Sequence, residues 1–212
     1  MADNLPIMFD IPGEPALANY NAEDLADGTG IIEFDGFQST VTGPTISYIL
    51  STNAIVSDPA YYHIQNQSTS SSTTMNFDSS PLNSPRTIKG TVKIAFTHGA
   101  SNTTGLGTNY IACGLYKWDG ATETQIGSTV TSPTIVAVGS SSVYNTRLLT
   151  ISAPLTILKV GEMIRLKVVM TYTGATGNVH QYFFTDPTNA IIGSEITNIT
   201  FFKVAIPFRI PL

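Results

Sequence analysis

The sequence predicts an all-β protein: an antiparallel β-sandwich, jelly-roll-like, carrying an extended acidic N-terminal arm. Three observations lead there. After Arg86 the apolar residues recur with a period of two rather than 3.6. The polar residues are chiefly Thr, Ser and Asn, 29, 19 and 13 of them, while only 12% of the chain is charged, a composition that suits half-buried pleated surfaces. The charges are also divided: residues 1–85 hold ten acids and no base, whereas 86–212 hold all ten bases and five acids. A boundary near Arg86 follows, with 1–85 as an acidic arm or docking region containing a few strands and 86–212 as the sandwich body.

Residues 1–30 carry Pro6, Pro12, Pro15, Gly13, Gly28 and Gly30 with little periodicity, which reads as extended chain with at most a helical turn over 21–26. Strands are expected over 31–38 and 45–56. The Ser/Thr run 68–74 and the turn-rich stretch 78–85 read as a loop or linker. In the body, Val92, Ile94 and Phe96 fall on one face and Thr91, Lys93 and Thr97 on the other; Ile111, Cys113 and Leu115 repeat the pattern. Asp119-Gly120 supplies a tight turn into a strand over 124–131. Further strands are expected over 135–138, 147–152, 162–172 and 179–184. In the longest, Ile164, Leu166, Val168, Met170 and Tyr172 point one way while Arg165, Lys167 and Thr171 point the other. At the C-terminal end Phe202, Val204, Ile206, Phe208, Ile210 and Leu212 share a face, and Pro207 and Pro211 interrupt one hydrogen-bonding side. An edge position is therefore expected for this strand.

Leu158-Lys159-Val160-Gly161-Glu162-Met163-Ile164-Arg165-Leu166 resembles the L-x-x-G-(D/E)-x-(I/V)-x-L turn-into-strand of tumour-necrosis-factor and C1q-like jelly rolls. The Ser/Thr-rich strand style is similar to that of tailed-phage decoration and head-fibre proteins. The resemblance covers about residues 86–212 and implies a compact, non-enzymatic virion module, homo-oligomeric with a trimer favoured, whose partners are the major capsid or other virion proteins and whose location is the virion.

The chemistry-bearing residues are sparse. Cys113 is the single cysteine, which excludes internal disulfides and cysteine zinc clusters, and its place between Ile111 and Leu115 reads as a small core residue. His63, His98 and His180 are isolated, without metal-ligand spacing. No G-x-S-x-G elbow is present; Gly105-Leu106-Gly107 reads as a turn, and Asp119 with Glu123, the carboxylate pair that can be drawn, flanks a turn. No cofactor is expected. The start lacks a basic and an apolar segment, so no secretion signal is expected, and no apolar run reaches the ~18 residues a membrane span needs. Basic residues are scattered, which argues against nucleic acid.

The expectation is thus a virion structural protein, a capsid decoration or head-fibre protein, with no enzymatic role. Its interaction residues are the acids Asp3, Asp10, Glu14, Glu23, Asp24 and Asp27, the rings Tyr116 and Trp118, and the tail residues Phe208, Ile210 and Leu212. Lys93, Arg165, Lys167 and Lys203 are the candidates to receive the acids if they converge on one face. The alternative is a carbohydrate-binding or adhesin module using Tyr110, Tyr116 and Trp118, since sugars stack on such rings.

Overall fold

The computed structural model describes residues 29–40, 46–53, 62–67, 70–102, 106–138, 142–174, 179–185 and 201–209. Twelve strands account for most of them: Thr29–Thr40 (β1), Ile46–Ser51 (β2), Tyr62–Gln67 (β3), Ser71–Asp78 (β4), Arg86–Asn102 (β5), Leu106–Trp118 (β6), Glu123–Thr131 (β7), Ile135–Val138 (β8), Ser142–Leu158 (β9), Met163–Gly174 (β10), Val179–Phe184 (β11) and Phe202–Arg209 (β12). The protein is all-β and sandwich-like, as expected. Residues 1–28 of the expected acidic arm, including the helical turn over 21–26, lie outside the described residues, as do Ile210 and Leu212.

β5 organises one layer. One of its edges takes β9; the other takes β12 along residues 88–96 and then β11 along 98–102. β1 and β2 continue outward from β12, and β3 from β11. In the second layer β10 lies between β4 and β6, and the far edge of β6 is shared by β7 and β8. A short parallel ladder, Tyr48 with Phe77 and Ile49 with Asp78, links β2 to β4 and so joins the layers into one folded-over sheet. All other pairs are antiparallel. Strands from both sides of Arg86 thus share the sheet: β1 borders β12, and β4 borders β10.

The alternation places the core. Val92, Ile94, Phe96, Leu149, Ile151, Val204 and Ile206 of one layer meet Ile111, Cys113, Leu115, Ile164, Leu166, Val168 and Met170 of the other in one buried cluster. On the β9 side the layers touch at Gly127: with φ at 72°, a Cβ there would stand 2.5 Å from the Ser152 carbonyl oxygen. No side chain fits that approach.

Two expectations are corrected. β12 is an interior strand, hydrogen-bonded to β1 and β5, and not an edge. Its proline is tolerated because the β5 ladder shifts register between Ala205 and Phe208, so the missing N–H of Pro207 falls in an interruption. Gly90, at φ 124°, leaves room beside it: a Cβ there would sit 3.2 Å from the Pro207 ring. The Ser/Thr run is also strand rather than linker. Ser71–Thr74 pairs with β10, followed by the buried Met75 and Phe77; Thr is β-branched and sits well on a pleated surface. The stretch after β4 is fixed to β10 as well, through Ser79 N–H to Ile164 O and Leu82 N–H to Glu162 O, both 2.9 Å.

Candidate functional site

The anticipated recognition residues do not converge. Lys93 and Lys203 stand on the outer face of the β5 layer, Arg165 and Lys167 on the outer face of the β10 layer. Three of these four are already neutralised. Arg165 donates from Nε and Nη2 to the two carboxylate oxygens of Asp78, at 2.6 and 2.7 Å, and from Nη1 to Glu123 at 2.7 Å. Lys167 donates to the other oxygen of Glu123. These donors, Lys167 first, hold the Glu123 carboxyl below its usual range. Lys203 lies 3.6 Å from Asp35 and 3.8 Å from Glu33. The Asp35 carboxyl is nonetheless raised, because burial outweighs the lysine.

Tyr116 and Trp118 belong to the same network. The Arg165 guanidinium lies over the Trp118 ring at 4.1 Å and Lys167 over Tyr116 at 4.7 Å, so each ring has a face taken by an internal cation. Asp119 and Glu123 are similarly committed. Asp119 Oδ1 accepts the backbone N–H of Thr122 at 2.6 Å and of Ala121 at 2.8 Å, which closes the turn around Gly120 and lowers its carboxyl. Phe208 is buried in the core, Asp3, Asp10, Glu14, Glu23, Asp24 and Asp27 lie outside the described residues, and Cys113 is buried with its thiol pushed up by desolvation. Among the described residues no three His, Cys, Asp or Glu side chains converge as for a metal.

Among the described residues six cations have no ion pair; Lys93 and Arg147 apart, they lie toward the end of the sheet where β1 begins. Ile31 pairs with Pro207 and Thr29 with Arg209 across β1 and β12. Arg209 is one step past the Phe208–Ile88 pair, beside Thr87, which pairs in turn with Ile157 of β9. Thr29, Arg209, Thr87 and Ile157 therefore form one row across four strands. Next to this row Ile31 pairs with Pro207, while Lys89 and Leu155 fall within the register shifts on the two sides of β5 and have no ladder partner there. Leu155 and Ile157 are 57% and 61% exposed, and Val160 in the following turn 61%. The exposed Arg209, Lys89 and Lys159 flank them, with the exposed Arg86 at the adjoining end of the sandwich; among the described residues none of the four is in an ion pair. This is an aliphatic sheet face edged with cations. Isolated exposed aliphatics need no explanation, but a contiguous set with a charged rim marks an interaction surface.

Arg86 turns from this face to the end of the sandwich. There a cleft of about 310 Å³ opens between β1–β2 and the 79–84 stretch, with Ile32, Phe34, Leu50 and Phe208 as its floor and hydroxyl and amide groups such as Ser51, Asn53 and Ser84 at its rim. The hydrogen bonds that tie 79–82 to β10 hold its wall in place. Among the described residues no carboxylate lines it.

Sequence reasoning missed this face because its members are dispersed. Lys89 and Leu155, far apart in sequence, are brought to the same region only because β5 lies beside β9. The available signal was negative: Leu155 and Ile157 take the side that Thr150 and Ser152 hold earlier in β9, so the change from even to odd positions at Pro154 marked a bulge.

No family model matches the chain, and no curated protein does. Solved structures do. An α-amino acid ester hydrolase is matched over 64% of this chain and 25% of its own, at 11% identity and a TM-score of 0.44. A CocE/NonD family hydrolase from Staphylococcus aureus is matched over 82% of this chain and 41% of its own, at 11% identity and a TM-score of 0.44. A structure of infectious bursal disease virus, Gx strain, is matched over 95% and 58%, at 11% identity and a TM-score of 0.26. The chain thus spans less than half the length of either hydrolase. These findings overturn the expectation of a virion structural protein without enzymatic role, and its carbohydrate-binding alternative, because the better matches are hydrolases and the viral likeness is the poorer one. At such identities and TM-scores the matches assign no activity to this chain.

Proposed function

We propose that this chain is a protein-binding β-sandwich whose recognition surface is the face around Arg209, Lys89, Leu155 and Ile157, and that its partner is a polypeptide segment carrying both acids and aliphatic side chains. One observation carries the reading: Arg209, outside any ion pair among the described residues, lies in the same row as the strongly exposed Ile157, with the exposed Lys89 and Leu155 one step along β5 and β9, whereas Lys117, Arg165, Lys167 and Lys203 are held by the chain's own acids. The acids would steer and register the contact, and the aliphatics would supply apolar burial, about 25 cal/mol per Å² removed from water. The face offers Leu, Ile and Val rather than aromatic rings. It therefore suits aliphatic side chains of a polypeptide better than stacked bases.

The test is a fluorescence-anisotropy titration of the full chain with a short labelled peptide alternating Glu and Leu, beside a Glu/Ser control. Saturable binding of the first peptide, weakened by Lys89→Glu with Arg209→Glu and also by Leu155→Ser with Ile157→Ser, is expected. Equal binding of both peptides, or binding untouched by either pair of substitutions, would overturn the reading.

A further inference from the structure

The acidic residues that precede β1 have the chemistry this face lacks. Residues 1–28 contain Asp3, Asp10, Glu14, Glu23, Asp24 and Asp27, no Lys or Arg, and interspersed aliphatic or aromatic residues such as Leu5, Ile7, Phe9, Ile11, Leu17 and Leu25. The face presents the converse, three exposed cations (Lys89, Lys159 and Arg209) beside Leu155, Ile157 and Val160. The attachment point adds a second, geometric observation. β1 begins at Thr29, which pairs with Arg209 in the very row that contains Thr87 and Ile157. Three strand spacings separate Thr29 from Ile157, about 14 Å at ~4.8 Å each, a distance that about five extended residues cover. Asp24 and Asp27 are therefore within reach of Lys89 and Arg209 without any long connection.

We propose that residues 1–28 dock on this face of their own chain, with Asp24 and Asp27 against Arg209 and Lys89 and the apolar residues of the segment over Leu155 and Ile157. The inference rests on the protein-binding reading above and names its occupant. It also changes the expected acceptors: Arg165, Lys167 and Lys203 are engaged by Asp78, Glu123, Asp35 and Glu33, whereas Arg209 and Lys89, outside any ion pair among the described residues, stand near where the segment joins the sheet. Attachment to the same chain gives the segment a high effective concentration at the face. An outside peptide then has to displace it, so the docked segment acts as a built-in competitor.

The experiment uses the full chain and zero-length carbodiimide cross-linking, which joins a lysine amine to a carboxylate in direct contact, read by mass spectrometry on an equal mixture of ¹⁴N- and ¹⁵N-labelled protein. The expected products join Lys89 or Lys159 to an acid within 1–28, with both ends carrying the same isotope, and they diminish at high salt. Mixed-isotope products would place the segment on a second copy and overturn docking within one chain. Cross-links from 1–28 only to Lys93, Lys117 or Lys203 would overturn the site. A second variant separates this inference from the reading beneath it: Asp3→Asn, Asp10→Asn, Glu14→Gln, Glu23→Gln, Asp24→Asn and Asp27→Asn in one full-length chain. If the segment occupies the face about nine-tenths of the time, releasing it tightens the Glu/Leu peptide about tenfold. Unchanged affinity with no Lys89 or Lys159 cross-link would remove the docked segment and leave the binding face standing. Failure of the peptide to bind even this variant would remove both.

Discussion

Phe202 stands where β12 passes between β1 and β5, and its ring lies over Gly36. A Cβ placed on Gly36 would come within 1.8 Å of the Phe202 ring, and the ring meets Phe77 at 4.8 Å and Phe183 at 5.1 Å, both edge-on. Gly36→Ala should therefore overpack the site, by about 1–3 kcal/mol or more. Phe202→Ala should cost about 3–5 kcal/mol from lost burial and the cavity left behind, toward the upper end because two edge-on aromatic contacts, about 0.5–1.5 kcal/mol each, go with it. The two changes are not independent. In the double variant the new methyl group enters the space the ring has left, so the summed cost should fall short of the two single costs by about 1–3 kcal/mol. Urea unfolding of all four proteins measures this, provided the denaturant slope is unchanged across the set. In a chain of this size each kcal/mol shifts Tm by about 2–4 °C. A neutral Gly36→Ala, or strict additivity, would show that Phe202 does not pack on Gly36 and that β12 does not lie against β1.

Further outcomes follow from other features. His98 is fully buried with both ring nitrogens unpartnered, and burial together with the nearby Arg147 lowers its pKa to about 4. The unfolded chain takes up this proton near pH 6.5 and the folded one does not, so the stability attached to the neutral ring is full above pH 6.5 and declines toward pH 4, by about 3 kcal/mol in all. His98→Phe should abolish that part of the decline in pH-dependent unfolding and gain stability near pH 5. For Glu123 the folded carboxyl is depressed. Its contribution is complete above the ordinary carboxylate range and is lost as pH falls through it, a loss that thermal melts of Glu123→Gln should lack. A chain begun at Arg86 would be without β1, β2 and β4 and hence without Phe34, Leu50, Met75 and Phe77 of the core; circular dichroism should show it unfolded, while a chain begun at Thr29 keeps all twelve strands.

The periodic parts of this fold were legible because alternation is a local property. Ile164 to Tyr172 announces a buried face and an outer face, and Asp119-Gly120 a turn, without knowledge of any neighbour. What could not be read was adjacency. Pro207 argued for an edge by the ordinary rule, and only the register shift on the β5 side, with Gly90 beside it, shows how an interior strand accommodates it. Ser71 to Thr74 carries too few apolar residues to signal a strand, although Met75 and Phe77 beyond it are core. The site suffered most. Lys89, Leu155, Ile157 and Arg209 are ordinary surface residues singly, and their meaning arises from which strands lie side by side. The same holds for Arg165 and Lys167, whose pairing with Asp78 and Glu123 spans four strands, β4, β10, β6 and β7.

The position of β12 bears on how the protein is made. During synthesis β1 emerges early, yet on the side away from β2 its hydrogen-bonding groups have no partner until the twelfth strand arrives, more than 160 residues later in the sequence. β5 waits for the same strand along residues 88–96. Two unfilled strand edges and the apolar surfaces of Phe34, Ile94 and Phe96 are thereby exposed for most of translation, a state prone to pairing with other nascent chains. Folding that must wait for so distant a partner is slow. Yield in a cell should then depend less on the stability of the finished sandwich than on how well the ribosome-bound chain is shielded until β12 slots into place.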